Sequence, residues 1–334
     1  MEQLSLFPHA APQGASISSK PRTEPSPDAD HILVRDFPPK GRARKLDQFY
    51  TDPKVAAFLF AEMRNQLIVH RPNLLTDCTF LEPSAGTGSF LRLLPQGTWA
   101  FDIDPKAPGI ISADFLRVQL AAGRQLICIG NPPFGKNASL AVRFYNHAAS
   151  VASVIAFIVP RTFQKVSVQN RLDLRFHLLH QTEVPHDGFI FEGQPKTVPS
   201  VFQIWVRESV QRIKVTPQRK HKDFRFLPGK AASEGDFAIR RVGARAGRIS
   251  RNLTASKSSH YFMKASPGVA DVEHVMRQID FTACAGRTAG NPSLAQTEIV
   301  ELYTRYRNAV GQKSAVSERP IAPNEGASKI GGQP

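Results

Sequence analysis

The sequence predicts an α/β fold built on a mostly parallel, doubly wound sheet of Rossmann-like type, and three observations lead there. Short apolar runs at 79–82, 99–103, 126–130, 153–159 and 201–206 recur along the middle of the chain, with helix-like stretches among them. Each early run closes on a turn signal and gives way to a helical pattern, the alternation that covers a parallel sheet on both faces. The first three runs end in acids, glycines and prolines, the residue types that shape a ligand crevice at the carboxyl ends of strands.

The first run ends at Glu82 and flows into Pro-Ser84-Ala85-Gly86-Thr-Gly88, after which a helix is predicted from about Ser89. Glycines there let the backbone approach a ligand closely. The loop is not a dinucleotide fingerprint, because Leu91 holds the third glycine position. It is not a phosphate loop either, since no Gly-Lys-Ser/Thr follows. It suits a nucleoside that carries no pyrophosphate. The second run ends in Asp102, followed by Ile103; a carboxylate at that tip accepts from ribose hydroxyls, and a plain turn aspartate fits equally. Asp114, before Phe115, suits either the exocyclic amine of an adenine or the cap of a short helix.

The third run leads straight into Asn131-Pro132-Pro133-Phe134. Consecutive prolines fix φ, hold their neighbours extended and remove two backbone donors. The Pro132 carbonyl is thereby left facing outward beside the Asn131 amide. Two acceptors on one side suit a single NH₂ group, and Phe134 offers a face on which a planar ring can stack. A strand merely terminated by prolines is the competing reading. It weakens when the same loop follows a glycine loop and two acid-tipped strands in order.

The chain has 334 residues, enough for one large domain or two modest ones. With 41% hydrophobic and 21% charged residues it has the make-up of a soluble globular protein. No apolar run is long enough to span a bilayer, and no secretory leader is read, so a cytoplasmic location is expected. Three scattered cysteines (Cys78, Cys128, Cys284) exclude a disulfide scaffold and supply no metal pair, so no metal is assigned. The formal charge of +15 points to a polyanionic partner, against the alternative of a solvated basic surface. Residues 1–44 read as a disordered tail, 45–206 as the α/β domain, 207–310 as a basic region ending in a helix from Ser293 to about Arg307, and 311–334 as a second tail.

Taken together, the motifs resemble those of class I S-adenosylmethionine-dependent methyltransferases, most closely the adenine-N6 DNA methyltransferases with the gamma order of motifs. Asp47-Gln-Phe49-Tyr50-Thr51-Asp-Pro53 resembles the cofactor-binding segment placed before the first strand in that order. The residues from Glu82 to Gly88 resemble the glycine loop, Asp102 the ribose-binding acid, Asp114 with Phe115 the adenine-binding site, and Asn131 to Phe134 the catalytic tetrapeptide. Aspartate at 102 departs from the glutamate more usual in the family. The resemblance implies S-adenosyl-L-methionine as cofactor and methyl transfer to the N6 amine of a flipped-out adenine in DNA. It implies that Asn131 and the Pro132 carbonyl hold the amine while Phe134 stacks on the base. Phe191 is assigned the opposite face, a position core packing explains nearly as well.

The same resemblance places target recognition in the basic segment 207–257, which carries 14 Lys and Arg against 4 Asp and Glu. Arg240, Arg241, Arg245, Arg248 and Arg251 are its candidate nucleic-acid contacts, on arginine-studded loops. Gln3-Leu-Ser-Leu-Phe7 resembles the pentapeptide by which bacterial replication proteins dock on the DNA sliding clamp. Three rivals stand beside adenine methylation of DNA. They are the same chemistry on RNA, methylation of a protein glutamine, and a non-catalytic nucleic-acid-binding subunit that keeps the fold.

Overall fold

The structure, a computed structural model, describes residues 32–34, 49–120 and 125–317, with side chains described within 49–310. Residues 1–31, which hold the Gln3–Phe7 peptide, 35–48, 121–124 and 318–334 lie outside the described residues, and residues 32–34 of the tail expected over 1–44 form a strand instead. Two units follow one another along the chain.

The first unit contains β1 (Ile32–Val34), β2 (Tyr50–Thr51), α1 (Pro53–His70), β3 (Cys78–Glu82), β4 (Trp99–Asp102), β5 (Ile111–Ser112) and β6 (Val118–Leu120). It continues with β7 (Gln125–Gly130), α2 (Ser139–Ala148), β8 (Ala152–Pro160), α3 (Val166–Gln169), β9 (Phe176–Glu183), β10 (Phe189–Phe191), β11 (Gln194–Lys196) and β12 (Ser200–Arg207). Among the described residues its central sheet has the order β5-β4-β3-β7-β8-β12-β9. The pairs from β5 through β8 are parallel, and β12 runs antiparallel to both β8 and β9. The mostly parallel, doubly wound sheet is therefore present, with its five expected strands in place.

The central strands form because β7, β8 and β12 are near-continuous apolar runs, buried on both faces as parallel sheets require. One face packs under α1, whose Val55, Leu59, Met63 and Leu67 recur every fourth residue and are buried. Asp52 starts that helix by accepting from the Lys54 N–H at 2.8 Å, with Pro53 in the first turn. The other face packs under α2 through Ala141, Phe144, Tyr145 and Ala148.

The helix expected from Ser89 is not formed. Residues 87–90 are turns, followed by a single 3₁₀ turn at Leu91–Leu93. Pro95 leaves too few residues after the glycine loop to nucleate an α-helix.

The second unit is a folded domain rather than a set of loops. Strands β13 (Phe224–Leu227), β14 (Phe237–Arg240), β15 (Ile249–Ser250) and β16 (His260–Ala265) form an antiparallel sheet of order β13-β16-β14-β15. Helices α4 (Val272–Gln278), α5 (Thr282–Ala285) and α6 (Gln296–Ser317) close a core of Phe224, Phe237, Ile239, Met263, Met276 and Tyr303. The last helix starts three residues after Ser293 and continues past the expected boundary at 310. Ser293 cannot cap it, because residues 293 and 294 are bonded to Val242 and Arg241 in a β-like bridge. Glu298 takes over instead, accepting from the Ala295 N–H at 2.8 Å as half of a capping box.

The boundary also falls later than 206. Arg212 donates from its backbone to Leu174, and Val215 exchanges hydrogen bonds with Asn170, so the chain still lies on the first unit there. The units meet at an ion pair of 3.0 Å between Lys165 and Glu298, both largely buried.

Candidate active site at the switch point of the sheet

Strand order reverses between β3 and β7: β4 and β5 lie on one side, β8 and β12 on the other. An α/β sheet opens a crevice outside its carboxyl ends at such a point. Glu82 ends β3 there and Gly130 ends β7, so the glycine loop and Asn131–Phe134 flank the same crevice.

The glycine loop is fastened to the tip of β4. Asp102 accepts from the Gly86 N–H and the Asp104 N–H, each at 2.8 Å, and the Gly86 carbonyl accepts from the Lys106 N–H at 2.9 Å. Gly86 sits at φ +50°, and a Cβ there would lie 2.9 Å from two ring carbons of Tyr50, so the aromatic ring covers the loop directly. Burial pushes the Tyr50 hydroxyl up, with the Lys106 ammonium opposing and Asp102 reinforcing. Asp102 keeps acceptor capacity for a ligand, since each carboxylate oxygen accepts more than one bond.

Beneath the loop, Glu82 is 2% exposed and among the described residues its Oε2 has no hydrogen-bond partner. Burial drives its carboxyl well above the usual range, against the pull of a hydrogen bond with the Leu91 backbone. A buried carboxylate oxygen without a donor is costly, and it is the sort of atom that a bound donor would satisfy.

Asn131 is held at both ends. Its side-chain NH₂ donates to the Phe49 carbonyl at 3.0 Å, and its own carbonyl accepts from Ser84 Oγ at 2.9 Å. A carbonyl only accepts, so the nitrogen faces Phe49 and Oδ1 is the end left for another donor. Among the described residues no backbone N–H reaches the Pro132 carbonyl. The Phe134 carbonyl accepts from Leu140 and Ala141, both at 3.2 Å, which fastens the tetrapeptide to the start of α2. Gly135 makes that return at φ +67°; a Cβ there would lie 2.7 Å from the Leu140 Cβ.

The Phe134 ring is half-buried and packs, with Phe49, against the core on the α1 side. Phe191 meets Phe49 at 5.2 Å between ring centres, because β10 pairs with β2. Phe191 thus stands one ring away from the backbone group that orients Asn131.

The remaining sequence-assigned residues divide. Ile103 is exposed beside Asp102. Thr51 is buried and its carbonyl accepts from Ser89 Oγ at 2.7 Å, while the Ala85 N–H donates to Phe101, so both hold the loops together. Asp114 caps a 3₁₀ turn through the Leu116 N–H at 3.1 Å and pairs with Arg117, the second of its two anticipated roles. Phe115 is 1% exposed, with its ring packed among Phe101, Phe144 and His147.

The five arginines differ in what they touch. Arg240 bonds the Val242 carbonyl through Nε at 3.1 Å. Arg241 stacks over Tyr261 at 5.1 Å with its Nε buried. Arg251 is paired with Glu273 at 3.0 Å, an acid that Arg277 also holds. Arg245 and Arg248 stand exposed. Contacts that sequence reasoning missed, such as the Phe49 carbonyl on Asn131, join residues 82 positions apart and leave no local signal. No described helix is long and apolar enough to cross a membrane.

No model of a known protein family matches the sequence, and no curated protein sequence does. Among solved structures, the chain is similar to a candidate RNA methyltransferase of Pyrococcus horikoshii, at 17% identity and TM-score 0.36 over 52% of this chain and 93% of that one. A Thermoplasma acidophilum protein is 19% identical at TM-score 0.33, over 46% of this chain and 88% of that one. The 23S rRNA methyltransferase ErmE is 15% identical at TM-score 0.35, over 50% of this chain and 73% of that one. At such scores these likenesses carry no weight for function, and the fold stands on the strand order itself.

Proposed function

We propose that this chain transfers a methyl group from S-adenosylmethionine to the N6 amine of adenine in nucleic acid, with DNA as the first candidate. One observation carries the reading: Asn131 is locked through its NH₂ to Phe49, which leaves Oδ1 for a donor at the switch point of the sheet, and among the described residues no backbone N–H reaches the carbonyl of the buried Pro132 beside it.

The residues present fit the cofactor. Gly86 leaves no room for a Cβ under Tyr50, Asp102 stands at the tip of β4, and Glu82 Oε2 awaits a donor. Tyr50, Glu82, Gly86 and Asp102 would hold it, with Ser84 and Gly88 shaping the loop and Ile103 at its rim. When bound, S-adenosylmethionine supplies an electrophilic methyl group. The chain's own part is to bind and orient the acceptor. Asn131 Oδ1 and the Pro132 carbonyl accept from the amine and draw its nitrogen away from conjugation with the ring, which frees the lone pair for in-line attack. Phe134 and Phe191 supply apolar faces near a flipped base. The cations after β12 favour a polyanionic substrate over a protein glutamine.

Labelled S-adenosylmethionine offered with duplex DNA, RNA and protein, followed by nucleoside analysis, tests this. Label in N6-methyladenine is expected. Label confined to protein, or none under cofactor saturation, overturns it.

A further inference from the structure

Between Val215 and β13 the chain crosses from one unit to the other with no helix or strand. This strap is fastened at one end by Asn170, whose Nδ2 donates to the Val215 carbonyl at 2.7 Å while its Oδ1 accepts from the Val215 N–H at 3.2 Å. At the other end the Asp223 carbonyl accepts from the Ser266 N–H at 2.8 Å. Lys214, Arg219, Lys220 and Lys222 project from it exposed, with Arg225 and Lys230 just beyond. Among the described residues no ion pair or side-chain hydrogen bond engages any of these six cations.

The one carboxylate between residues 214 and 230, Asp223, cannot neutralise them. It accepts from the Tyr303 hydroxyl at 3.1 Å, lies 3.5 Å from Arg307, and is 13% exposed. Lys222 also borders an open groove of about 670 Å³ lined by His221, Asp223, Asp271, Thr304, Arg307 and Asn308. Unneutralised like charges spaced a few residues apart repel within a screening length of about 8 Å. A polyanion removes that repulsion and releases its own counterions. The arginines of 240–251 are placed differently: Arg240 bonds the Val242 carbonyl, Arg241 lies over Tyr261, and Arg251, though 79% exposed, is paired with Glu273.

We infer that the strap Lys214–Lys222, rather than the arginine-rich stretch after β14, is the main contact with the phosphodiester backbone of the substrate. This rests on the nucleic-acid reading above. Phosphate contact needs exposed cations and no built pocket, which is what the strap offers.

The test compares full-length wild type, K214E/R219E/K220E/K222E and R245E/R248E in binding to one duplex DNA and one RNA across a salt series. Isothermal titration with S-adenosylmethionine and thermal melting serve as controls. The quadruple variant should bind at least about 100-fold more weakly at low salt, and its slope of log affinity against log salt should flatten by about 3. Cofactor affinity and melting should match wild type. A change confined to DNA or to RNA supports the inference and names the polymer. Wild-type slope and affinity in the quadruple variant, with loss in R245E/R248E, overturn the strap but leave the nucleic-acid reading standing. A wild type that binds neither polymer overturns both.

Discussion

Asn131 and Lys220 are both ligand contacts in this reading, yet their surroundings have nothing in common. Asn131 is bonded through its side chain and its carbonyl to loops 82 and 47 residues away, and the prolines beside it fix the backbone. Lys220 lies in a stretch without secondary structure and is exposed, with no ion pair among the described residues. The difference follows from what each contact must do. Two hydrogen bonds that pull an amine toward tetrahedral geometry work only if the acceptors are already in place, because reorganising them during the reaction would cancel the gain. A Coulombic contact with phosphate falls off slowly with distance and tolerates a loose side chain. Structure is invested at the crevice and withheld from the strap.

Asn131→Ala breaks the first half of that comparison with the largest effect. Methyl transfer should fall by about 10²–10³, as expected for one lost transition-state hydrogen bond. Cofactor and nucleic-acid affinities should stay near wild type, and single-turnover rates beside titrations check this. A wild-type rate would mean the amide is not aimed at the reacting group.

Gly86→Ala probes the pre-set loop. Its left-handed backbone costs about 1–2 kcal/mol for a residue with a Cβ, and the new methyl would press on Tyr50 at 2.9 Å. Cofactor affinity should drop with stability, measured by calorimetry and denaturant titration; an unchanged affinity would separate the loop from the cofactor.

Glu82→Gln sharpens the cost of holding a crevice ready. Burial raises this carboxyl above its ordinary value of 4.5, so its burial is cheapest in acid, and stability is lost as pH rises from there through the raised value. The variant should therefore melt higher than wild type without cofactor, by a margin that grows as pH climbs above about 4.5. It should also bind S-adenosylmethionine more weakly. A margin that does not change with pH would show that the charge is not the source of the cost.

The smallest effect separates fold-building arginines from free ones. Arg241→Ala should cost about 0.5–1 kcal/mol of stability through the lost stacking on Tyr261. The salt slope of nucleic-acid binding should not move. A flattened slope would return Arg241 to the interface.

The strands were legible in the sequence because buried parallel strands need uninterrupted apolar runs, and runs such as 126–130 are too short for a stable helix. The crevice residues were legible because proline and glycine constrain the backbone wherever they stand: Asn131-Pro132-Pro133 and Gly86 carry their geometry with them. The helix expected after Ser89 and the cap expected at Ser293 are absent for two different reasons. Local propensity was outweighed by Pro95 in one case and by pairing with a distant strand in the other.

What the sequence determined by itself was the sheet, the order of its loops and the residue types brought to its rim, since all of these follow from short-range patterns. What only the tertiary structure decided was the state of each polar group. Phe49 fixes which end of Asn131 is free, Tyr303 and Arg307 turn Asp223 away from the strap, and Tyr261 and Glu273 consume two arginines. Hydrogen bonds and ion pairs join residues that the fold makes neighbours, and a charge reveals its partner only once the chain has closed around it.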